Sequence, residues 1–362
     1  MLQLIIRLIF AWLYSALPTK RSYTLDKNVA VIIPVFNEDP HLLSDCIASV
    51  LMQTHQRIQI IVVDDGSTVP VKIPGEFQEK VELIRLNQNQ GKMRAQAEGI
   101  YKAHPSTEFI LTVDSDTIIG RKAVQKMLEQ FDEKTGAVCG EVRIMNIRGL
   151  NHIVEFLYWN SFHIWRAGSS FFGQVSVCSG AISMYRLNAL EDGILQEYLD
   201  RNVEVGNDRY ITYLFLKHGW KTRYASEAVA ITDAPTGWKF IIQQVRWNKS
   251  FWRGLFYSFP IYSPKNWYFT LDMAFKTVSR ILTMVLFLWT IMLLFRGSFE
   301  TVLWILFIAF FYGLIHSVAG LVITRRPKFL LYSFWAILSI FVVAPVNIWA
   351  MITAGRDKWG TR

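Results

Sequence analysis

An α/β fold with a mainly parallel sheet, followed by helices that belong to a membrane, is predicted for this chain by three observations. Apolar runs "VAVIIPV", "IQIIVV" and "EFILTV" alternate with polar, helix-compatible stretches between Val29 and about Lys239. Short buried strands separated by crossovers are the pattern of a parallel sheet covered by helices. Acidic residues follow each run at its carboxyl end, where open α/β sheets bind ligands. After Arg280 the composition changes to long apolar tracts of the length that membranes require.

The bulk composition agrees. A formal charge of +9 with 52% hydrophobic and 14% aromatic residues argues against a nucleic-acid binder and points to a lipid bilayer as partner. Three cysteines, Cys46, Cys139 and Cys178, without CxxC spacing, disfavour a disulfide framework and a zinc site, and suit a reducing, cytoplasmic environment.

In chain order, "MLQLIIRLIFAWLYSAL" is almost wholly apolar but carries Arg7 and is followed by Pro18, Lys20 and Arg21. A signal peptide would need a small-residue cleavage site; in its absence residues 1–22 read as a membrane anchor or interfacial helix. A soluble α/β domain is expected over 23–237. Its first strand ends at Val35, ahead of Glu38 and Asp39; its second ends in "DDGS", with Asp64 and Asp65. A turn with an Asx hydrogen bond competes for that motif when it is taken alone. "NQGKMR" sets Gly91, Lys92 and Arg94 ahead of a helix, where cations can meet phosphates, although a charged helix start is common for other reasons. In "DSD", Asp114 and Asp116 stand two apart and share a face if strand geometry persists, and two such oxygen ligands suit Mg²⁺ or Mn²⁺ on a nucleotide diphosphate. Three strand ends delivering acids to one rim are harder to dismiss than any one of them.

Interfacial helices are expected over 238–274. Wound as a helix, "QQVRWNKSFWRG" puts Lys239, Gln243, Arg246, Ser250 and Arg253 within an arc of roughly 80°, with Trp238, Ile241, Ile242, Val245 and Trp252 opposite. A surface helix on a membrane and part of an active site both fit that pattern.

With "VCSGAISMYR", "GNDR" and the terminal "WGTR" added, the motifs resemble, in order and spacing, processive inverting family-2 glycosyltransferases, most closely bacterial hyaluronan synthases of the streptococcal type. The resemblance runs from about Val29 to Arg362. It implies a GT-A-type, Rossmann-like catalytic domain at the cytoplasmic face of the plasma membrane. UDP-sugars would be its donors, Mg²⁺ or Mn²⁺ its cofactor, and a growing, exported polysaccharide its product. Carried over by position, Asp64, Asp65, Lys92, Asp114, Trp359 and Arg362 would hold the donor, and Asp116 with Asp114 the metal. Asp208 would be the general base; Gln243, Arg246 and Trp247 would complete the catalytic end, and Cys178, Ser179, Gly180 and Trp247 would face the acceptor. Asn207 stands where the family usually has an acid, and Ala181 where it has proline.

Since "WGTR" must return to the catalytic side, the chain between crosses the membrane an even number of times. A hairpin over 275–323 is therefore expected, with 324–362 interfacial or re-entrant, because Pro345 and Asn347 interrupt its apolar run and "RRPK" marks its start as cytoplasmic. So few helices leave the pore, with His316 and Ser317 as lining candidates, to be completed by a second copy of the chain, or by lipid and a partner protein. The competing functions are a chitin-like or other polysaccharide synthase and a non-catalytic nucleotide-sugar-binding membrane protein.

Overall fold

A computed structural model describes residues 2–16, 26–147, 151–201, 203 and 205–355. The elements are α1 (Leu2–Ala16), β1 (Val29–Val35), α2 (Pro40–Leu51), β2 (Ile58–Asp64), β3 (Val81–Arg85), α3 (Lys92–Tyr101), β4 (Phe109–Val113), β5 (Ile118–Ile119), α4 (Ala123–Leu128), β6 (Thr135–Ile144) and α5 (Asn151–Trp159). A π-helical stretch, Asn160–Arg166, leads to α6 (Ala167–Phe171). Then come β7 (Ile182–Arg186), α7 (Leu187–Ala189), α8 (Leu195–Arg201), α9 (Asn207–Lys217), β8 (Lys221–Thr232), α10 (Trp238–Ser258), α11 (Trp267–Phe295) and α12 (Phe299–Thr324). The last helical run covers Pro327–Ile352.

Among the described residues the sheet has eight strands in the order β3-β2-β1-β4-β7-β6-β8-β5. Its first four strands are mutually parallel, β1 lying between β2 and β4 in register Val31↔Ile60 and Val31↔Leu111. β1, β2 and β4 are covered on both faces, which is why they read as apolar runs, whereas β3 at the edge is largely exposed. β7 runs antiparallel to β4 and β6, so the sheet is mixed, parallel through the half that carries the acidic rim. The crossover from β3 through α3 to β4 returns the chain beside β1, so the carboxyl ends of β1, β2 and β4 lie side by side. Asp39 caps α2 by accepting from His41 N, with Pro40 at the first helical position, where its missing N–H costs nothing.

Among the described residues three helices are long and apolar enough to cross a membrane: Pro264–Phe295, Phe299–Thr324 and Pro327–Ile352. α11 and α12 are joined by the short turn 296–298, and α11 recruits the turns from Trp267 onward. α12 lies so close to the last run that a Cβ on Gly313 would sit 2.1 Å from Ser333 O, so only glycine permits this approach.

Two expectations need correction. Pro345 does not interrupt the last run: a π-helical stretch, Ser339–Val343, precedes it, and the proline enters the final helical segment at its amino end, where no donor is required of it. Nor does α10 present a solvated polar arc against an apolar one. Ser250 and Arg253 of the polar arc are buried, whereas Trp238 and Ile242 of the apolar arc are exposed. Burial changes along α10 rather than around it, because its carboxyl-terminal half is enclosed by α9 and the end of the last run. There Trp252 Nε1 donates to Asn347 Oδ1 at 2.8 Å, and Arg253 Nε donates to Ala354 O.

Candidate active site

The rim is built by hydrogen bonds between consecutive strand ends. After β1, Asn37 N donates to Ser67 Oγ at 3.0 Å and Asn37 Oδ1 accepts from Thr68 N at 2.8 Å, joining the first acidic turn to the second. Glu38 accepts from Ser115 Oγ at 2.7 Å, joining the first to the third.

Asp64 ends β2 fully buried, accepting from Ser67 N at 2.9 Å, Val71 N at 3.2 Å and Arg85 Nη1. Burial pushes its pKa upward, but these donors outweigh burial and hold the carboxyl below its usual range. Asp65 accepts from Gln90 N at 2.8 Å and Gly91 N at 2.9 Å, the backbone entering α3. In its case burial wins, and the carboxyl titrates above its usual range. The neighbours thus do different work: Asp64 pins the turn, and Asp65 fixes the start of α3.

That start aims Lys92 across the rim. Its Nζ pairs with Asp114 Oδ1 and lies 3.4 Å from Gly180 O. Asp114 and Asp116 do not share a face through strand geometry, because β4 ends at Val113 and Thr117 N closes a turn on Asp114 O at 3.0 Å. The turn still holds Asp114 against the buried Cys46, whose Sγ lies 3.5 Å from Asp114 O, and Ser115 between the two aspartates bonds Glu38. Among the described residues no group of three or more His, Cys, Asp or Glu side chains forms a metal cage. Two hard oxygen donors on one turn, with room left for water and diphosphate oxygens, fit Mg²⁺ or Mn²⁺.

Opposite lies the loop that carries Cys178, Ser179 and Gly180. Cys178 N donates to Thr212 Oγ1 at 2.9 Å, and that hydroxyl donates to Asp208 O at 2.7 Å, so loop and α9 move as one. Ser179 O accepts from Ser183 Oγ at 2.6 Å. A Cβ on Gly180 would stand 3.0 Å from Lys92 Nζ and 3.9 Å from Asp208 Cβ, so the motifs around Lys92, Asp114, Gly180 and Asp208 meet at one point. Gly206, at φ +87°, turns the chain into α9 where a Cβ would lie 2.3 Å from Ser250 Oγ. This close approach draws α10 over the site. Asn207 Oδ1 accepts from Asp208 N at 2.9 Å, and the neutral amide puts no second charge beside Asp208.

From α10, Trp247 packs its ring 5.7 Å from that of Tyr158, and Gln243 Oε1 is buried without a hydrogen-bond partner among the described residues. Tyr158 was not expected in the site; an aromatic in an amphipathic helix reads as core. It is half-buried, which raises its pKa, and its contact with Trp247 places it against α10. Arg85 escaped notice for a similar reason, as a strand arginine with no motif around it. Trp359 and Arg362 lie outside the described residues.

The family model described as glycosyl transferase family 2 matches residues 30–194, from β1 through β7 to the start of α8. Over 382 aligned residues the chain is 33% identical to a hyaluronan synthase of Streptococcus pyogenes, covering 99% of this chain and 88% of that one. It is 31% identical to an N-acetylglucosaminyltransferase of Mesorhizobium japonicum over 351 residues, 92% of this chain and 82% of that one. In fold it is similar to a mannosyltransferase of Pyrobaculum calidifontis solved with GDP-Man and Mn²⁺, with a TM-score of 0.59 and 15% identity over 98% of this chain and 96% of that one. With full-length relatives at this identity, and a rim of acids at the ends of parallel strands beside membrane-length helices, the chain belongs to glycosyl transferase family 2 and is a membrane-associated glycosyltransferase of GT-A-like fold.

Proposed function

We propose that this enzyme is a processive, inverting polysaccharide synthase that takes UDP-sugars at the cytoplasmic face of the plasma membrane and makes hyaluronan from UDP-GlcNAc and UDP-glucuronic acid. The observation that carries the reading is the meeting of Lys92, Asp114, Gly180 and Asp208, which sets a lone carboxylate across from a cation-and-carboxylate rim.

Asp64 and Asp65 hold the uridine end, and Lys92 with Arg246 faces the diphosphate. Asp114 and Asp116 would hold the divalent metal, which when bound would supply positive charge for the departing diphosphate. The acceptor hydroxyl, bounded by Gly180 and Trp247, loses its proton to Asp208 as its oxygen bonds the anomeric carbon. The bond from that carbon to the diphosphate oxygen breaks in the same displacement, so the anomeric centre inverts and UDP leaves. Lys92 and Arg246 meet the charge developing on the leaving group.

The membrane arrangement proposed is a cytoplasmic catalytic unit over 23–237, interfacial helices over 238–274, a spanning hairpin over 275–323 and an interfacial segment over 324–362. Supporting the last assignment, one end of the run 327–352 is tied to the catalytic unit and the other to the interfacial helix α10. Lys328 Nζ pairs with Glu155 at 2.7 Å and Phe329 stacks edge-on to Phe156, while Asn347 and Ala354 bond α10.

Synthesis from one donor, as a chain of GlcNAc, is the second reading, favoured by the N-acetylglucosaminyltransferases among the relatives. The purified protein with Mn²⁺, given each donor alone and then both, decides between them. Hyaluronan synthesis requires both donors for long product that hyaluronan lyase degrades. Long chitinase-sensitive product from UDP-GlcNAc alone establishes the second reading, and UDP release from neither donor refutes both.

A further inference from the structure

Where α1, α9 and α11 meet beneath the rim, four cations face inward with one carboxylate among them. Arg7 Nη2 donates to Asp272 Oδ1 at 2.6 Å, and Lys276 pairs with Asp272 Oδ2. Arg209 holds Ser250 Oγ at 3.2 Å and Tyr213 Oη at 3.4 Å, both neutral. Arg280 lies with its guanidinium carbon 3.8 Å from the centre of the Phe251 ring, and that of Arg209 is 5.8 Å from the same ring. Among the described residues Asp272 is the sole carboxylate paired with any of the four. Arg7 is 5% exposed, yet its Nη1 has no hydrogen-bond partner, and neither has the buried Nε of Arg280.

Such an excess of buried positive charge is costly unless an anion joins the cluster. The cluster is internal. On this part of α11 Leu271, Phe275, Val278 and Leu282 are among the exposed residues, whereas Asp272 is buried and pairs with Lys276 on the other side. It also adjoins the site: Lys276 Nζ donates to Ser176 Oγ at 2.8 Å, two residues before Cys178, and Arg209 follows Asp208 in α9. Trp165 forms one wall, with the Arg7 guanidinium carbon 3.5 Å and Lys276 Nζ 5.2 Å from its ring centre. A neutral sugar chain leaving the catalytic rim this way would leave these donors unmatched.

We propose that Arg7, Arg209, Lys276 and Arg280 form an anion-binding stripe on the exit side of the site, and that its ligand is the carboxylate of a uronate sugar in the growing chain. This rests on the polymer synthesis proposed above and adds where the product's charge is read. The stripe holds each carboxylate through charge-assisted hydrogen bonds as the chain advances.

The test is binding to the full-length protein in phosphatidylcholine nanodiscs, without donors, using size-matched short oligosaccharides: GlcNAc alone, and GlcNAc alternating with glucuronate. The uronate oligosaccharide should bind at least about tenfold more tightly, and the preference should shrink as salt rises. Arg280→Gln and Lys276→Gln should each remove most of that preference, and Arg280→Lys should retain it, which separates lost charge from lost fold. Equal binding of the two probes by the parent protein overturns the stripe, as does a preference untouched in both glutamine variants. Loss of the preference when a minor fraction of phosphatidylglycerol is added overturns it in favour of a lipid headgroup. UDP release, measured separately, reports on the synthesis reading: a parent protein that prefers uronate but never releases UDP refutes synthesis and keeps the stripe.

Discussion

Lys92, on the first turn of α3, and Asp114, in the turn after β4, form an ion pair across the mouth of the site, each side chain a quarter exposed. The pair is poised for exchange, because a diphosphate offers the ammonium a stronger anion and a metal offers the carboxylate a stronger cation. Lys92→Met should therefore weaken UDP binding in the presence of Mn²⁺ by about tenfold, roughly 1.4 kcal/mol. Calorimetry that shows unchanged affinity would take Lys92 out of the donor site.

Asp208→Asn should lower turnover by about 10²–10⁴-fold, the usual contribution of a positioned general base. UDP affinity should stay at the parent value, because the base acts on the acceptor. A turnover within about tenfold of the parent would sink the assignment.

Asp116→Ala should remove the metal-dependent part of UDP affinity and leave the metal-free part. Titrating UDP with and without Mn²⁺ separates the two. If the Mn²⁺ increment survives, the metal is held elsewhere.

Asp64 and Asp65 should split in a pH titration of stability. Asp64 has a folded pKa below its unfolded value, so its stabilisation is full above the unfolded value and is lost as pH falls through the folded one. Asp64→Asn should thus cost about 1–3 kcal/mol at neutral pH, with the gap to the parent closing in acid. Asp65 has the opposite sign, its folded pKa lying above the unfolded one, so ionising it in the fold opposes stability as pH rises through that range. Denaturation in urea at several pH values checks both; a gap for Asp64→Asn that does not change with pH would refute the linkage.

Single cysteines at Arg326 and Gly355 report the course of the last helical run. The native thiols, Cys46, Cys139 and Cys178, are all buried, so background labelling should be low. Both engineered sites should react with an impermeant maleimide from the cytoplasmic side only. Labelling from opposite sides would establish that 327–352 spans the bilayer.

Much of this was legible in the sequence because it is local. β1 matches its apolar run residue for residue, from Val29 to Val35, and β2 and β4 match theirs to within a residue or so, since strands covered on both faces must be apolar throughout. The acids stand out for the same reason: they follow those runs directly. The helix over "QQVRWNKSFWRG" was legible as a helix, but its buried face was not, because what covers Ser250 and Arg253 comes from α9 and from the chain a hundred residues later.

The sequence by itself determined which strands form, which strand ends bear carboxylates, and which tracts are apolar enough for a membrane. Side-chain periodicity and strand-end chemistry act within a few residues. Only the tertiary structure decided that Lys92 meets Asp114, that Tyr158 backs Trp247, and that Arg7 reaches Asp272 across 265 positions of chain. Nothing near either partner in sequence anticipates such pairs. They exist because the crossover from β3 to β4 brings distant strand ends together, and because burying the apolar faces of α1 and α11 carries their few charged groups inward, where each must find a partner or be neutralised by a ligand.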